Sequence, residues 1–162
     1  MYNSLSNSGS RFLKTHHLSI IFIATLLSLF SLNGFAQEKI YYGDNQSIKS
    51  RNFDGSGEQT LFTGSTLLLD LAVDMANGKL YVFDFVTATG YLRRMNLDGS
   101  GVENVITGIN MNSVVLDPAN GKIYWIDSNN KKIQRANLNG SGIEDLVTGV
   151  TGILKLDLGM EN

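Results

Sequence analysis

Short apolar runs of strand length alternate with turn residues along the chain. Residues 124–127 are aromatic and β-branched, residues 133–138 alternate apolar with polar, and residues 143–147 are apolar again. Runs of this length and composition are typical of β-strands. A fourth run, residues 114–117, is separated from the aromatic run by Asn120-Gly121. This pair predicts a two-residue hairpin turn in which both residues adopt positive φ angles.

The same succession of runs occurs three times. The aromatic run, which begins with Lys and ends with Asp, recurs at 39–44, 79–84 and 122–127, and the run before it at 71–74, 114–117 and 154–157. A glycine-rich turn recurs at 52–57, 96–101 and 137–142, and a Thr-Gly pair closes each copy at Gly64, Gly108 and Gly149. A period of about 42 residues falls in the range of four-stranded propeller blades. We therefore divide the chain into units 39–78, 79–121 and 122–162, and predict no helix in residues 37–162.

These repeats resemble the class B, or YWTD, repeat of the low-density lipoprotein receptor family. The resemblance rests on the aromatic runs, the "NLDGSG" turn and the "VVLDPANGKIYW" segment, and it covers residues 39–157. It implies an all-β fold with four-stranded antiparallel blades from a six-bladed β-propeller, of which about three are present. The resemblance places Tyr124, Trp125 and Asp127 on the second strand of a blade, and Asp117 at the end of the first.

The recurring side chains are interpreted as structural. A catalytic residue is needed once, whereas a structural residue is needed in every unit, and buried carboxylates are usually hydrogen-bonded. We expect the aspartates to accept backbone N–H groups at strand ends and the tyrosines to pack within or between blades. The predicted structural positions are Tyr41, Asp44, Asp74, Tyr81, Asp84, Asp117, Tyr124, Trp125, Asp127 and Asp157, with turn glycines at Gly55, Gly99 and Gly140.

The first 36 residues have the features of a secretory signal peptide. Arg11 and Lys14 precede an apolar run at residues 18–32, and the small residues Gly34 and Ala36 stand at the cleavage positions. The run is shorter than the roughly 20 residues that span a bilayer. We therefore predict cleavage after Ala36, a secreted or periplasmic location, and no membrane attachment of the mature protein.

Composition excludes several kinds of chemistry. The chain has no cysteine, and its two histidines, His16 and His17, lie in the predicted signal peptide. Ser-His-Asp and Cys-His catalysis and the commonest zinc sites are therefore excluded from the mature protein. The Gly-Ser-Gly turns do not continue as a phosphate-binding loop. We predict no catalytic, cofactor-binding or metal-binding residues and no cofactor.

Positive charges lie on or near the third strand of each unit. Without Arg11 and Lys14 the net charge is about −4, which gives no reason to expect nucleic acid as a partner. Two interpretations of the remaining cations stay open: a stripe that binds acidic glycans or proteins, or solvated charges that keep strand edges from pairing with other chains. The residues concerned are Arg51, Arg93, Arg94, Lys131, Lys132 and Arg135.

The predicted function is that of a secreted, non-enzymatic β-propeller module that interacts with an extracellular protein or glycan. One alternative is a truncated fragment of a longer six-bladed propeller protein. Another is a metal-dependent propeller hydrolase, since some six-bladed propellers hydrolyse lactones or esters at a metal held by carboxylates. The fold alone does not decide among these, because function in propellers is carried by the loops.

The order of the strands also predicts a homodimer. The first unit opens on its aromatic strand, residues 40–44, and the chain ends with a strand of the missing kind, residues 154–157. If this last strand completes the first blade of a second chain, two chains together form six blades. Deletion of the last strand is then expected to abolish the dimer.

Overall fold

A computed structural model describes residues 38–44 and 46–159. The predicted signal peptide and its cleavage site lie outside these residues. In the described part the chain forms eleven strands and no helix, which confirms the all-β prediction. The strands are β1 (Lys39–Gly43), β2 (Ser47–Asn52), β3 (Gln59–Thr63), β4 (Leu67–Asp74), β5 (Lys79–Val86), β6 (Thr89–Asn96), β7 (Glu103–Thr107), β8 (Met111–Asp117), β9 (Lys122–Asp127), β10 (Lys132–Asn137) and β11 (Glu144–Thr148).

The strands form three antiparallel sheets, each of which is a meander in sequence order. Blade 1 consists of β1–β2–β3, blade 2 of β4–β5–β6–β7 and blade 3 of β8–β9–β10–β11. Blades 2 and 3 therefore have the predicted four strands, whereas blade 1 has three among the described residues. Each sheet of four begins one strand before the aromatic run, so the blades are offset from the units that the sequence defines. We refer to blades 1–3 together as the arc.

Side chains on alternate faces of each strand pack against different neighbours. One buried cluster lies between blades 1 and 2 and includes Ile48, Leu80 and Met95. A second lies between blades 2 and 3 and includes Phe83 and Trp125. Because successive residues of a strand point to opposite faces, blade 2 contributes to both clusters and is covered on both sides.

The loops between the first and second strands of a blade differ from the prediction. Asp74 pairs with Lys79 and Asp117 with Lys122, so each loop has four residues rather than two. Gly121 has a φ of 64°, but Asn120 is not among the residues with positive φ. The prediction of a two-residue turn was wrong because the Asn side chain and amide bind the preceding aspartate instead of adopting the left-handed conformation.

The segment after blade 3 also differs from the prediction. Residues 153–159 form no strand, so the predicted strand at 154–157 was wrong for this chain in isolation. A strand requires a neighbour, and no described strand pairs with this segment. It nevertheless lies beside β8, because the Leu156 amide donates a hydrogen bond to Ser113 Oγ over 3.3 Å. We call the first strand of a four-stranded blade its inner strand. A hydrogen bond also joins the inner strands of blades 2 and 3, since the Val114 amide of β8 donates to Asp70 Oδ2 of β4 over 2.9 Å.

Candidate functional site

Three of the predicted aspartates close loops by binding an asparagine three residues later. In each loop Oδ1 accepts the Asn backbone N–H at 2.9–3.1 Å and Oδ2 accepts the Asn side-chain amide at 2.8 Å. The carboxylates are at most 7 % exposed. The pairs are Asp74 with Asn77, Asp117 with Asn120 and Asp127 with Asn130. Each carboxylate therefore has its partners within its own loop, which leaves it poorly placed for chemistry.

Asp84 occupies the position of Asp127 in blade 2 but has a different environment. Its side chain is fully buried, accepts a hydrogen bond from the Ser65 hydroxyl, and pairs with Arg93 Nε at 2.9 Å. The Arg93 guanidinium lies over the rings of Tyr91 and Phe62, at 4.7 and 5.3 Å from their centroids. This buried ion pair occurs only in blade 2 among the described residues. Phe62 belongs to blade 1, so the cluster also ties blades 1 and 2 together.

Asp44, the third member of this series, is half exposed. Lys49 Nζ lies 2.7 Å from its carboxylate, and the Ser47 hydroxyl donates to it over 2.6 Å. These hydrogen bonds, chiefly the one from Lys49, hold the pKa of Asp44 well below its ordinary value. Asp157, which ends the run predicted as a strand at 154–157, is exposed. Among the described residues its side chain accepts a hydrogen bond only from the amide of Leu158.

Tyr41 and Tyr81 face the next blade along the chain. The Tyr81 hydroxyl donates to the Leu138 carbonyl of blade 3 over 3.2 Å, and Arg94 Nη1 donates to the same oxygen over 3.3 Å. Tyr41 packs at the edge of the cluster between blades 1 and 2, where burial raises the pKa of its hydroxyl. Tyr124 is the corresponding residue of blade 3.

Trp125 lies on the opposite face of β9, which packs against blade 2. Its side chain is fully buried, and its indole N–H donates to Gln134 Oε1 over 3.1 Å. This bond satisfies the one polar atom of the largest side chain in the core. The arrangement makes Trp125 a packing residue between blades 2 and 3.

The turn glycines have positive φ angles of 81–86°. A Cβ atom on Gly99 would lie 2.3 Å from the Leu61 carbonyl oxygen, and one on Gly140 would lie 2.2 Å from that of Val105. These turns therefore pack against the outer strand of the preceding blade so closely that only glycine fits. Gly55, the corresponding residue of blade 1, has no atom within 4 Å of such a Cβ.

Most of the basic residues that were considered as a binding stripe are paired with carboxylates. Arg94 lies 2.6 Å from Glu103 and Arg135 lies 2.9 Å from Glu144, and Arg51 contacts Glu58 in the same way. Lys132 lies 2.6 Å from Asp145. Such solvent-exposed pairs contribute little to stability, because water screens the attraction between their charges. The pairing neutralises the stripe and favours a role within the blades over the binding of acidic ligands.

A cavity of about 210 Å³ opens beside blade 3, between the β9–β10 loop and residues 150–154. Its lining is partly polar and partly apolar: the polar residues are Asn112, Asp127, Ser128, Lys131 and Thr151, and the apolar ones are Ile126, Val150, Ile153 and Leu154. The described residues contain no cluster of three or more His, Cys, Asp or Glu side chains that could hold a metal ion. The lining therefore combines apolar side chains with one cation and one carboxylate, and that carboxylate, Asp127, is already bound to Asn130.

Solved structures with the same arrangement define the class of the protein. A chain in the crystal structure of a nidogen/laminin complex has a TM-score of 0.63 at 21 % identity, covering 70 % of this chain and 45 % of that one. TolB from Acinetobacter baumannii has a TM-score of 0.61 at 16 % identity, covering 82 % and 36 %. A luciferin-regenerating enzyme has a TM-score of 0.56 at 17 % identity, covering 72 % and 45 %. The fold is that of a β-propeller whose sheets form an open arc, and the chain spans less than half the length of each of these structures.

The family of the repeat follows from a match within blade 3. Residues 121–149 match the model of the low-density lipoprotein receptor repeat class B. This stretch runs from the end of the β8–β9 loop to the residue after β11. The resemblance to class B repeats is thereby confirmed, with the match itself confined to one repeat. No described helix is both long enough and apolar enough to cross a membrane.

Proposed function

We propose that this protein is exported and acts as a non-enzymatic β-propeller module that binds a protein or a glycan. The observation that carries the proposal is the engagement of the recurring carboxylates in loops and ion pairs of the blades. Residues 1–36 support export, because they combine a basic start, an apolar run and small residues at the cleavage positions. The nidogen chain, which was solved in a complex with laminin, offers a precedent for protein binding by this fold.

The best-suited surface is one rim of the arc. Consecutive antiparallel strands alternate in direction, so the β9–β10 loop and the links between blades lie at the same rim. Asn110 and Asn129 meet there, and the Asn110 side-chain amide donates to Asn129 Oδ1 over 3.1 Å. Asn112 is exposed nearby and lines the cavity beside blade 3. Neutral amides that both donate and accept suit the hydroxyl groups of a glycan or the backbone of a peptide. We call Asn110, Asn112 and Asn129 the amide rim.

A glycan array probed with the purified protein tests the proposal. The double variant Asn110→Ala/Asn129→Ala removes both partners of one exposed hydrogen bond, so it leaves no unpaired group and should melt within about 2 °C of wild type. We expect it to lose at least ten-fold in affinity for any glycan that wild type binds. Met75→Ala is the matched control, because Met75 is 67 % exposed at the opposite rim.

Two results would contradict the proposal. If the double variant binds as tightly as wild type, the amide rim is not the binding surface. Turnover of an ester or lactone that depends on added Ca²⁺ would replace the binding module with a hydrolase. The luciferin-regenerating enzyme shows that this class of fold also accommodates an enzyme, so both assays belong in the same experiment.

A further inference from the structure

The two ends of the arc carry opposite halves of the contact that joins its blades. The most complete form of this contact has three parts: a turn glycine against a carbonyl oxygen, an apolar turn residue in the core cluster, and a tyrosine hydroxyl that donates to that residue's carbonyl. Between blades 2 and 3 these parts are Gly140 on Val105 and Tyr81 on Leu138. Between blades 1 and 2, Gly99 contacts Leu61.

Blade 1 presents the glycine half of this contact to solvent. Gly55 has a φ similar to those of its equivalents, yet no described atom occupies the space that a carbonyl oxygen fills beside Gly99 and Gly140. Phe53 is 62 % exposed, although the equivalent residues Leu97 and Leu138 pack in the core clusters. Ile40 is 47 % exposed, whereas its equivalents Leu80 and Ile123 are fully buried.

Blade 3 presents the carbonyl and tyrosine half. Leu146 corresponds to Leu61 and Val105 and is 42 % exposed, and Val147 is 45 % exposed where Ile106 of blade 2 is 7 % exposed. Tyr124 and Arg135 stand where Tyr81 and Arg94 bind a carbonyl oxygen of the next blade. Arg135 Nη2 lies 2.9 Å from the Glu144 carboxylate, as Arg94 Nη2 lies 2.6 Å from that of Glu103, so the same ion pair holds both guanidinium groups.

Blade 1 and the segment after blade 3 are also complementary in their strands. Blade 1 has no fourth strand among the described residues, so no described strand pairs with β1 on the side away from β2. Residues 153–157 have the apolar pattern of an inner strand and lie beside β8, where the inner strand of a following blade would start. An unpaired edge and an unpaired strand-like segment are complementary.

We propose that the open end of blade 3 binds blade 1 of a second copy of this chain, and that residues 153–157 complete that blade as its inner strand. The second copy returns the same contacts, so two chains close around a two-fold axis into six blades. Gly55 then meets the Leu146 carbonyl of the partner copy, and Phe53 meets its Tyr124. The proposal concerns assembly and is independent of the proposed function.

Arg51 is a charged residue at a position that is apolar and buried in the other two blades. It corresponds to Met95 and Ala136, which are fully buried between blades. The guanidinium binds Glu58, the Tyr42 hydroxyl and the Gly55 carbonyl within blade 1. Arg51 therefore enters the interface with its donors already engaged, which reduces the cost of its burial. A polar outer side on blade 1 would also suit an arc that ends there as a monomer, and the experiment must separate these two arrangements.

Light scattering coupled to size-exclusion chromatography of the purified protein measures the assembly directly. We expect twice the monomer mass for wild type at micromolar concentration, and the monomer mass for Phe53→Glu. Phe53 is mostly exposed in the single chain, so this change should spare the fold of the arc. Met75→Glu places the same charge at a residue of similar exposure outside the interface and should remain dimeric. A folded wild-type monomer, a dimer that Phe53→Glu leaves intact, or an open-ended polymer would each overturn the proposal.

A cross-linking experiment covers the case in which Phe53→Glu does not fold. The chain contains no cysteine, so introduced thiols are unique. A mixture of the single variants Phe53→Cys and Tyr124→Cys, treated with a short bismaleimide, should yield a covalent dimer. A mixture of Met75→Cys and Tyr124→Cys should not. Equal yields from the two mixtures, or no covalent dimer from the first, would refute the proposed interface.

Discussion

At the residue scale, Lys131 occupies a backbone conformation that suits glycine. It follows Asn130 in the loop that Asp127 closes, and its φ is 56°. Gly78 and Gly121 hold the same place after Asn77 and Asn120, with φ angles of 63° and 64°. A side chain in the left-handed region costs roughly 1–2 kcal/mol. Lys131 therefore stores strain in a loop that lines the cavity beside blade 3.

We predict that Lys131→Gly stabilises the protein by about 0.5–1 kcal/mol, because relief of the backbone strain exceeds the added flexibility of the unfolded chain. The reciprocal variant Gly121→Lys should destabilise it by a similar amount, since a Cβ at Gly121 meets no atom within 4 Å and only the backbone cost remains. Chemical denaturation of both variants measures the two changes. A loss of stability in Lys131→Gly would show that the Lys131 side chain makes a contact that outweighs the strain.

The roles of individual aspartates were only partly predictable from the sequence. Asp74, Asp117 and Asp127 are each followed by Asn three residues later. The prediction used the first two of these asparagines, with the Gly after each, as turn signals and did not recognise any of the three as a partner for the carboxylate. Asp84 has Thr87 in place of this Asn, and this difference in sequence indicates that its carboxylate has other partners. Its partner Arg93 lies two residues beyond Tyr91, the residue of β6 that pairs with Asp84, so identifying it required the register of the β5–β6 hairpin. Ser65 belongs to the link between blades 1 and 2, and its approach depends on how that link packs.

At the element scale, the glycine turns set the spacing of neighbouring blades. We predict that Gly140→Ala destabilises the protein by about 1–3 kcal/mol more than Gly78→Ala. Both glycines have positive φ, so both variants bear the backbone cost, but only a Cβ at Gly140 would press against a carbonyl oxygen, that of Val105. Thermal unfolding compares the two. Equal melting temperatures would mean that blade 3 can shift away from blade 2 at little cost.

The strands themselves were predictable because the pattern repeats. Apolar residues at alternate positions of β5 and β9 pack toward different neighbouring blades, and three copies in phase identify the sheet even where one copy is irregular. The two-residue turn in blade 2 was not anticipated: Thr87 and Ala88 join β5 to β6, with Thr87 at a φ of 56°. A β-branched residue gives no signal for such a turn, since its conformation is imposed by the hairpin around it.

At the scale of the whole molecule, surface carboxylates make stability depend on pH. The pKa values of five carboxyls lie below their ordinary values of 3.8 for Asp and 4.5 for Glu, mainly because neighbouring hydroxyl or ammonium groups donate to them. A lowered pKa in the folded state adds stability above the unfolded pKa, and this stability is lost as the pH falls through the folded pKa. The groups are Asp44, Asp54, Glu58, Asp98 and Asp145.

We therefore predict a constant melting temperature from pH 7 down to about 5 and a steady fall below about 4.5. The variant Asp54→Asn/Asp98→Asn should show a smaller fall. Asn139 already occupies the same turn in blade 3, where its Oδ1 accepts from the amide and hydroxyl of Ser141 at 3.1 and 2.7 Å. Asn at the other two turns therefore keeps the hydrogen bonds but does not titrate. A wild-type melting temperature at pH 3 equal to that at pH 7 would contradict this account.

The three-stranded blade 1 has a consequence for how such a protein can be duplicated. In blade 2 the inner strand ends at Asp74, and four residues, Met-Ala-Asn-Gly, lead to Lys79. If Asp157 of one copy were followed by these four residues and then by Lys39 of another, the joined gene would encode a blade in ordinary strand order. With one such junction, residues 153–157 of the first copy and blade 1 of the second copy would belong to the same chain. A ring of two separate chains and a ring made by one chain with two fused copies would then differ by a single loop.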